Sequence, residues 1–412
     1  MRNRIREIVP DEIGVSLDIV IEPTLAGMAD TLVRRIGFAG RRLLFVSDAQ
    51  THTALGARIV EELAGFDSSL LLLDANVQAD ESALSKIAAM QADAYVAIGS
   101  GTINDLCKYA SYMVQKPYCI FATAPSMNGY VSANASITQN GVKSSRAAHL
   151  PFGVFCDMEI IAGAPKRLIR SGLGDSLCRS TAQGDWLLSH LLLDTYYSEL
   201  PFKWLKPYET ELFAHADKLA EGDLHTVELL MRTLLASGLG MTYCKGSYPA
   251  SQGEHLIAHT MEMKHGHSLP HSYHGEQIGV TTLTMAQIQE TLLTAPLQLP
   301  PQPGWKTALG NYFDAQVADS LADLVSQKYT LYEQQDAVAL RLARREEDIR
   351  RAIKAVTLPS TELRKVLEKA GAPCNPAEIG WDEESYRQAV SHAAFTRDRY
   401  GFLDLYLHAP QP

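Results

Sequence analysis

The sequence predicts an α/β domain on a parallel sheet over residues 1–163, followed by an all-helical domain over 164–412. Three observations carry this expectation. Short apolar runs of strand length alternate with amphipathic stretches in the first part; strand-like runs stop after "VFCDMEIIAGAP" (154–165); and the remainder is mainly of helical period. A chain of 412 residues, 46% of them hydrophobic, supplies material for two cores.

The strands read in order as "RRLLFVSD" (41–48), "SSLLLLDA" (68–75), "AYVAIGS" (94–100) and "YCIFATA" (118–124), each ending in small or polar residues. Between them, "TALGARIVEELAGF" and "DESALSKIAAMQAD" read as amphipathic helices, and this alternation implies a Rossmann-like parallel sheet wrapped by helices. Ligands of such sheets bind beyond the carboxyl ends of the strands. Pro165 suits the first position of a helix. Beyond it, "HTVELLMRTLLASGLGMTYC", "LADLVSQKYTLYEQQDAVALRLARREEDIRRAIKAV" and "STELRKVLEKAG" read as helices, with "LTAPLQLPPQPGW" as a Pro-rich connection. The charged run "RLARREEDIRR" reads as a solvated helix face with close-range ion pairs.

A net charge of −10 without a long Lys or Arg run argues against nucleic acid or an anionic membrane as the partner and favours a small molecule. Six cysteines without CxxC pairs read as reduced, mostly buried thiols. No segment approaches 18 uninterrupted apolar residues and "MRNRIREIVPDEIG" leads into no apolar stretch, so membrane insertion is not expected and a cytoplasmic location is.

In "VAIGSGTINDLCKYAS", Gly99, Ser100, Gly101 and Thr102 stand between a strand and a helix, where glycines admit a phosphate and the helix start favours an anion. A tight strand-to-helix connection explains the same residues equally well, and the turn is neither GxGxxG nor a P-loop. The next strand ends in "ATAPSMNGYVSANASI", so two successive strand ends gather hydrogen-bonding chemistry. Asp48 suits either an adenosine ribose, which favours NAD(H) over NADP(H), or a helix cap.

Six of the 13 histidines fall in "GEHLIAHTMEMKHGHSLPHSYHGEQIG" (253–279). His255 and His259 share one helical face, and His274 follows in "HGEQ". A catalytic ion takes about three protein ligands. The carboxylate candidate is Asp175 in "GLGD", read as opening a helix, with a simple helix cap as the alternative. His265, His267 and His271 read as exposed loop residues.

Taken in order, "GSGTINDLCK", "TAPSMNGYVSANASI", "GLGD", "GSYPASQGEHLIAHTMEM" and "HGEQIG" resemble the sn-glycerol-1-phosphate dehydrogenase family, over a stretch running to "FTRDRYGFLDL". That family belongs with glycerol dehydrogenase, iron-containing alcohol dehydrogenases and dehydroquinate synthase. The resemblance implies a dehydroquinate synthase-like architecture and a reversible, metal-dependent reduction of dihydroxyacetone phosphate by NAD(H) or NADP(H). It implies Asp175, His255 and His274 as ligands of one divalent ion, zinc foremost and nickel or ferrous iron as alternatives, with His259 as proton relay. Gly99 to Thr102 then match the pyrophosphate turn, Thr123 and Ser126 the loop over the cofactor, and Asp105 the acid near the substrate hydroxyls. Asn128 stands where an acidic substrate-loop residue is expected, and Gln252 where a smaller residue is. The substrate phosphate has two candidates, Lys108 and Arg179, each of which also reads as solvated surface charge. A homo-oligomer is expected. Rival readings are a glycerol or other polyol dehydrogenase, a dehydroquinate synthase-like lyase, and a catalytically silent metal- or nucleotide-binding homologue. The lyase family favours Glu with a nearby Lys where this chain has Asp175 and Arg179.

Overall fold

A computed structural model describes residues 11–139, 142–299, 301, 304–330 and 334–407, without the side chains of residues 142–144 and 267. The chain forms two compact units, Met1–Ser176 with Leu200–Gly246, and Leu177–Glu199 with Ser247–Pro412. The strand-to-helix transition near residue 163 is visible in the element order, but helices up to Ser176 and from Leu200 to Gly246 cluster with the sheet.

The first unit carries β1 (Asp18–Glu22), β2 (Leu43–Asp48), β3 (Ser68–Leu73), β4 (Ala94–Gly99), β5 (Tyr118–Ala122), β6 (Asn134–Gln139), β7 (Val142–Ala147) and β8 (Gly153–Asp157). Six form one sheet in the order β1-β8-β5-β4-β2-β3, with every pairing parallel, as the alternation of strands and helices predicts. The four apolar runs appear as β2 to β5. Two features escape that reading. β1 is a five-residue strand at the sheet edge, and β6 and β7 form a separate antiparallel hairpin from the polar runs "NASITQ" and "VKSSRA". Neither offers a long apolar run to recognise. The inner strands β4, β5 and β8 are buried along their whole length, as a sheet covered on both faces requires.

The helices of this unit are α1 (Ala29–Arg35), α2 (Ala49–Thr51), α3 (Ala57–Glu62), α4 (Glu81–Ala88), α5 (Gly101–Met113), α6 (Met158–Ala162) and α7 (Lys166–Leu177), then α9 (Leu200–Ala214), α10 (Ala216–Glu221) and α11 (Leu224–Tyr243). A π-helical turn over His52–Gly56 joins α2 to α3. Phe38, Phe45, Val96, Ile98, Phe121 and Phe155 lie at the centre of a core beneath the sheet.

The second unit is helical: α8 (Arg179–Leu193), α12 (Gly253–His265), α13 (His274–Thr294), α14 (Trp305–Tyr312), α15 (Ala315–Tyr329), α16 (Gln335–Lys354), α17 (Ser360–Ala370), α18 (Glu383–His392) and α19 (Phe402–Tyr406). The long helical run from Leu321 divides into α15 and α16. The Pro-rich connection separates α13 from α14, with residues 300, 302 and 303 outside the described residues. On α16, Leu342, Ile349 and Ile353 face the core and the exposed Arg351 pairs with Asp348, as a solvated face should, whereas Arg350 and Glu346 pair on a largely covered side where Arg350 also donates to Leu293 O. Ile257, Met261, Ile278, Met285 and Phe402 join the same core. All six cysteines are buried, as expected. Among the described residues no helix is long and apolar enough to cross a membrane.

Candidate cofactor turn and histidine cluster

In the first unit β2 pairs with β3 on one side and β4 on the other, and the chain leaves β2 toward β3 but β4 toward β5. The connections after β2 and β4 therefore diverge, creating the crevice at which open parallel sheets bind ligands. Asp48 ends β2 and Gly99 ends β4. Ser100 holds the N-cap position of α5 without a side-chain capping bond, and the helix, starting at Gly101, leaves its first N–H groups without intrahelical acceptors. Both glycines answer to packing. A Cβ on Gly99 would stand 2.7 Å from Ile103 Cβ, and one on Gly101 2.9 Å from Met127 Cγ. Asp48 acts as a helix cap, with Oδ1 accepting from the main-chain N–H of Gln50 at 2.9 Å and of Thr51 at 2.8 Å. Thr123 and Ser126 are buried on the loop after β5, where the Thr123 N–H donates to Gly99 O at 3.1 Å.

Lys108 differs from both of its expectations, phosphate ligand and surface charge. It is fully buried, and its ammonium donates to Gly129 O at 2.5 Å, Asn134 O at 3.0 Å and Ser132 Oγ at 3.4 Å, with Asp105 Oδ1 at 3.5 Å. Its donors thus tie α5 to the segment after β5. Asp105 is likewise engaged, Oδ1 accepting from Asn104 Nδ2 at 3.1 Å and Oδ2 from Ser136 N at 3.0 Å. Burial raises the pKa of its carboxyl, against the opposing pull of Lys108.

Asp175 also corrects the sequence reading. "GLGD" does not open a helix, and Asp175 caps none; it lies in the last turn of α7, buried. The first glycine of "GLGD", Gly172, is explained by close approach rather than by helix initiation. A Cβ on Gly172 would stand 1.7 Å from the carbonyl oxygen of Pro125, and one on Gly238 of α11 2.5 Å from that of Asn128. Both helices press against the 125–129 loop, and Asp175 Oδ2 accepts from the Asn128 main-chain N–H at 2.7 Å. That contact uses the backbone, which any residue at 128 supplies.

In the second unit three imidazoles gather. His255 and His259 project from one face of α12, and His274 is the first residue of α13. Ring centroids are 5.2 Å apart for His255 and His274, 5.9 Å for His255 and His259, and 6.1 Å for His259 and His274. Glu254, fully buried, was not anticipated. Its Oε1 lies 3.0 Å from His255 Nδ1 and accepts from Gln252 N at 2.7 Å, while Oε2 accepts from Thr181 Oγ1 at 2.9 Å. Burial works to raise the Glu254 pKa, but the hydrogen bond and charge of His255 bring it below the ordinary carboxylate value. With Nδ1–H directed at this carboxylate, His255 Nε2 is left as the basic nitrogen. The only sequence signal for Glu254 is its place immediately before His255.

Asp185 anchors the start of α12, accepting from Gly253 N at 2.9 Å and Phe402 N at 3.0 Å. Burial, and then the charge of Glu254, pushes its pKa up to about 7. His265 ends α12 half-buried rather than lying in a loop, because the helix continues to Gly266. His271 is exposed and meets the ring of Tyr273 at 5.1 Å; the His267 side chain lies outside the described residues. Arg179 Nη1 lies 3.2 Å from Gln183 Oε1 and 3.3 Å from Val356 O.

Residues 20–165 match the family model described as iron-containing alcohol dehydrogenase. A probable glycerol dehydrogenase from Sinorhizobium meliloti has a similar fold at a TM-score of 0.57 and 19% identity, over 89% of this chain and 87% of that one. The fold is the dehydroquinate synthase-like architecture shared with such structures, and its sheet-bearing part matches the iron-containing alcohol dehydrogenase family. The glycerol-1-phosphate dehydrogenase (NAD(P)+) of Bacillus velezensis is 31% identical over 373 residues, covering 88% of this chain and 84% of the relative. That of Halalkalibacterium halodurans is 33% identical over 255 residues, spanning 59% of this chain and 63% of the relative's length. The chain belongs to the glycerol-1-phosphate dehydrogenase family.

Proposed function

We propose that the chain reversibly reduces dihydroxyacetone phosphate to sn-glycerol 1-phosphate, using NAD(P)H and one divalent ion. The observation that carries this is the His255, His259 and His274 cluster, with His255 oriented by Glu254, in a member of this family. In this reading Asp175, His255 and His274 are the ligands of that ion, the set that the family resemblance implies. Within the second unit the Cys178 sulfur lies within 4.8 Å of ligand atoms of Glu254 and His255. Cys178 and Glu254 themselves suit a supporting role, since the thiol donates to Ala250 O at 3.3 Å and the carboxylate holds three hydrogen bonds.

One carboxylate and two imidazoles suit zinc, nickel or ferrous iron, and such an ion polarises a ketone carbonyl toward hydride from the nicotinamide. Glu254 keeps His255 in the tautomer that presents Nε2. His259 relays the proton to the reduced oxygen, and Asp105 and Asn128 orient the substrate hydroxyl side. Residues 1–163 bind the dinucleotide, its pyrophosphate at Gly99–Thr102 beneath Thr123 and Ser126, with the remaining Asp48 oxygen toward the ribose. Residues 164–412 bind metal and substrate. The enzyme works in the cytoplasm as a homo-oligomer.

Asp175→Asn tests the ligand set, because Asn keeps an oxygen for the Asn128 N–H but loses the charge. Gently purified variant protein should have lost its metal and turnover; normal metal content and turnover would contradict the assignment.

A further inference from the structure

Arg397 and Arg399 fall two apart in the segment between Thr396 and α19. They meet the turn that precedes α12. Arg397 Nη1 donates to Ser251 Oγ at 3.0 Å; Arg399 donates from Nη1 to Ser251 O at 2.8 Å and from Nη2 to Ser247 Oγ at 3.1 Å. The Arg399 guanidinium also stacks on Tyr248, 4.1 Å from the ring centroid. Both arginines are half-buried, and among the described residues neither forms an ion pair.

This is unlike the other buried cations. Lys328 pairs with Asp404 at 2.8 Å and Lys108 with Asp105 at 3.5 Å. Burial, followed by the charge of Arg397, works against the charged form of Arg399. A guanidinium nevertheless stays protonated in proteins. A bound anion would offset that cost. Both arginines also feel the charge of Asp398, which stands between them in the chain, and then that of Glu254, the carboxylate that orients His255.

We propose that Arg397 and Arg399 are the specificity-determining pair that receives the phosphate dianion of the substrate, a role resting on the reaction proposed above. Two planar guanidiniums, one fixed by Tyr248 and the serines, keep N–H donors beyond those given to Ser247 and Ser251, a donor set that suits phosphate oxygens. An unphosphorylated ketone leaves the pair without a counter-ion. The pair thus selects for the phosphorylated triose.

The test is the ratio of kcat/KM for dihydroxyacetone phosphate to that for dihydroxyacetone, measured on metal-loaded wild type, Arg397→Lys, and the Arg397→Met/Arg399→Met double variant. The ratio should fall about 100-fold or more in the double variant and about 10-fold in Arg397→Lys, which keeps charge but loses the planar fork. Inorganic phosphite added to dihydroxyacetone should stimulate wild type and fail to stimulate the double variant. NAD(P)H binding and metal content report folding, and if the double variant is misfolded, Arg397→Lys decides the question. A wild-type preference that survives in folded variants overturns the role of the pair alone. No preference in wild type overturns the proposed reaction and the pair together.

Discussion

Gly172→Ala adds one methyl group to α7 at a place with no room for it. The new Cβ would start 1.7 Å from the Pro125 carbonyl oxygen, whereas contacts below 3.0 Å are essentially never made by real Cβ atoms. Helix and loop must separate by roughly 1.3 Å, and the obstacle is backbone rather than a pliable side-chain tip. Overpacking costs about 1–3 kcal/mol in typical cores. We expect the upper end, about 3 kcal/mol, which outweighs the roughly 1 kcal/mol that Ala gains over Gly within a helix. Ser126 and Asn128 ride on the displaced loop, so turnover should fall by about 100-fold, the usual consequence of a 1 Å misplacement. Urea unfolding, NAD(P)H fluorescence titration and steady-state kinetics provide the assays. Gly310→Ala is the control, because nothing lies within 4 Å of the point where its methyl would stand, and it should match or slightly exceed wild-type stability. Wild-type stability and turnover in Gly172→Ala would refute the view that α7 and the loop are held at closest approach.

Glu254→Ala removes the carboxylate on His255 Nδ1 and should weaken metal affinity about 10- to 100-fold in chelator competition; unchanged affinity would deny it an orienting role. Lys108→Met strands three oxygen acceptors and Asp105, and should cost about 3–5 kcal/mol in denaturant unfolding. An effect confined to the KM for a phosphorylated substrate would instead restore Lys108 as a phosphate ligand. Asp185, with its pKa raised to about 7, binds a proton in the native state that the unfolded chain releases near 3.8. Its contribution is complete below the ordinary value and is lost as pH rises through about 7. The stability difference between wild type and Asp185→Asn, followed by urea unfolding of metal-free protein, should therefore decline from pH 5 to about 7 and then level off. His271→Ala should leave metal content intact by elemental analysis, since that ring is exposed beside Tyr273.

The sheet was legible because its inner strands are continuous apolar runs, and the helical half because its apolar positions repeat at helical period. The β6–β7 hairpin was not, since its residues are mostly polar and its pairing is made through the backbone. At the site, helical spacing placed His255 and His259 on one face, and the structure adds His274 beside them. Asp175 was singled out from "GLGD", but its place on the helix was misread, because a glycine that serves close approach reads like a helix start. Lys108 shows the limit most clearly. Its acceptors lie 21 to 26 residues away on another segment, so local composition could not reveal that its charge is buried. Arg397 and Arg399 meet partners about 150 residues upstream, beyond any local pattern.

The most direct measurement is NAD(P)H oxidation by metal-reconstituted protein with dihydroxyacetone phosphate and with dihydroxyacetone, each followed by stereochemical analysis of the product. Metal-dependent oxidation strongly favouring the phosphorylated ketone, and yielding sn-glycerol 1-phosphate, is the predicted result. Equal or better turnover of dihydroxyacetone, formation of the opposite enantiomer, or activity that persists after metal removal would contradict it.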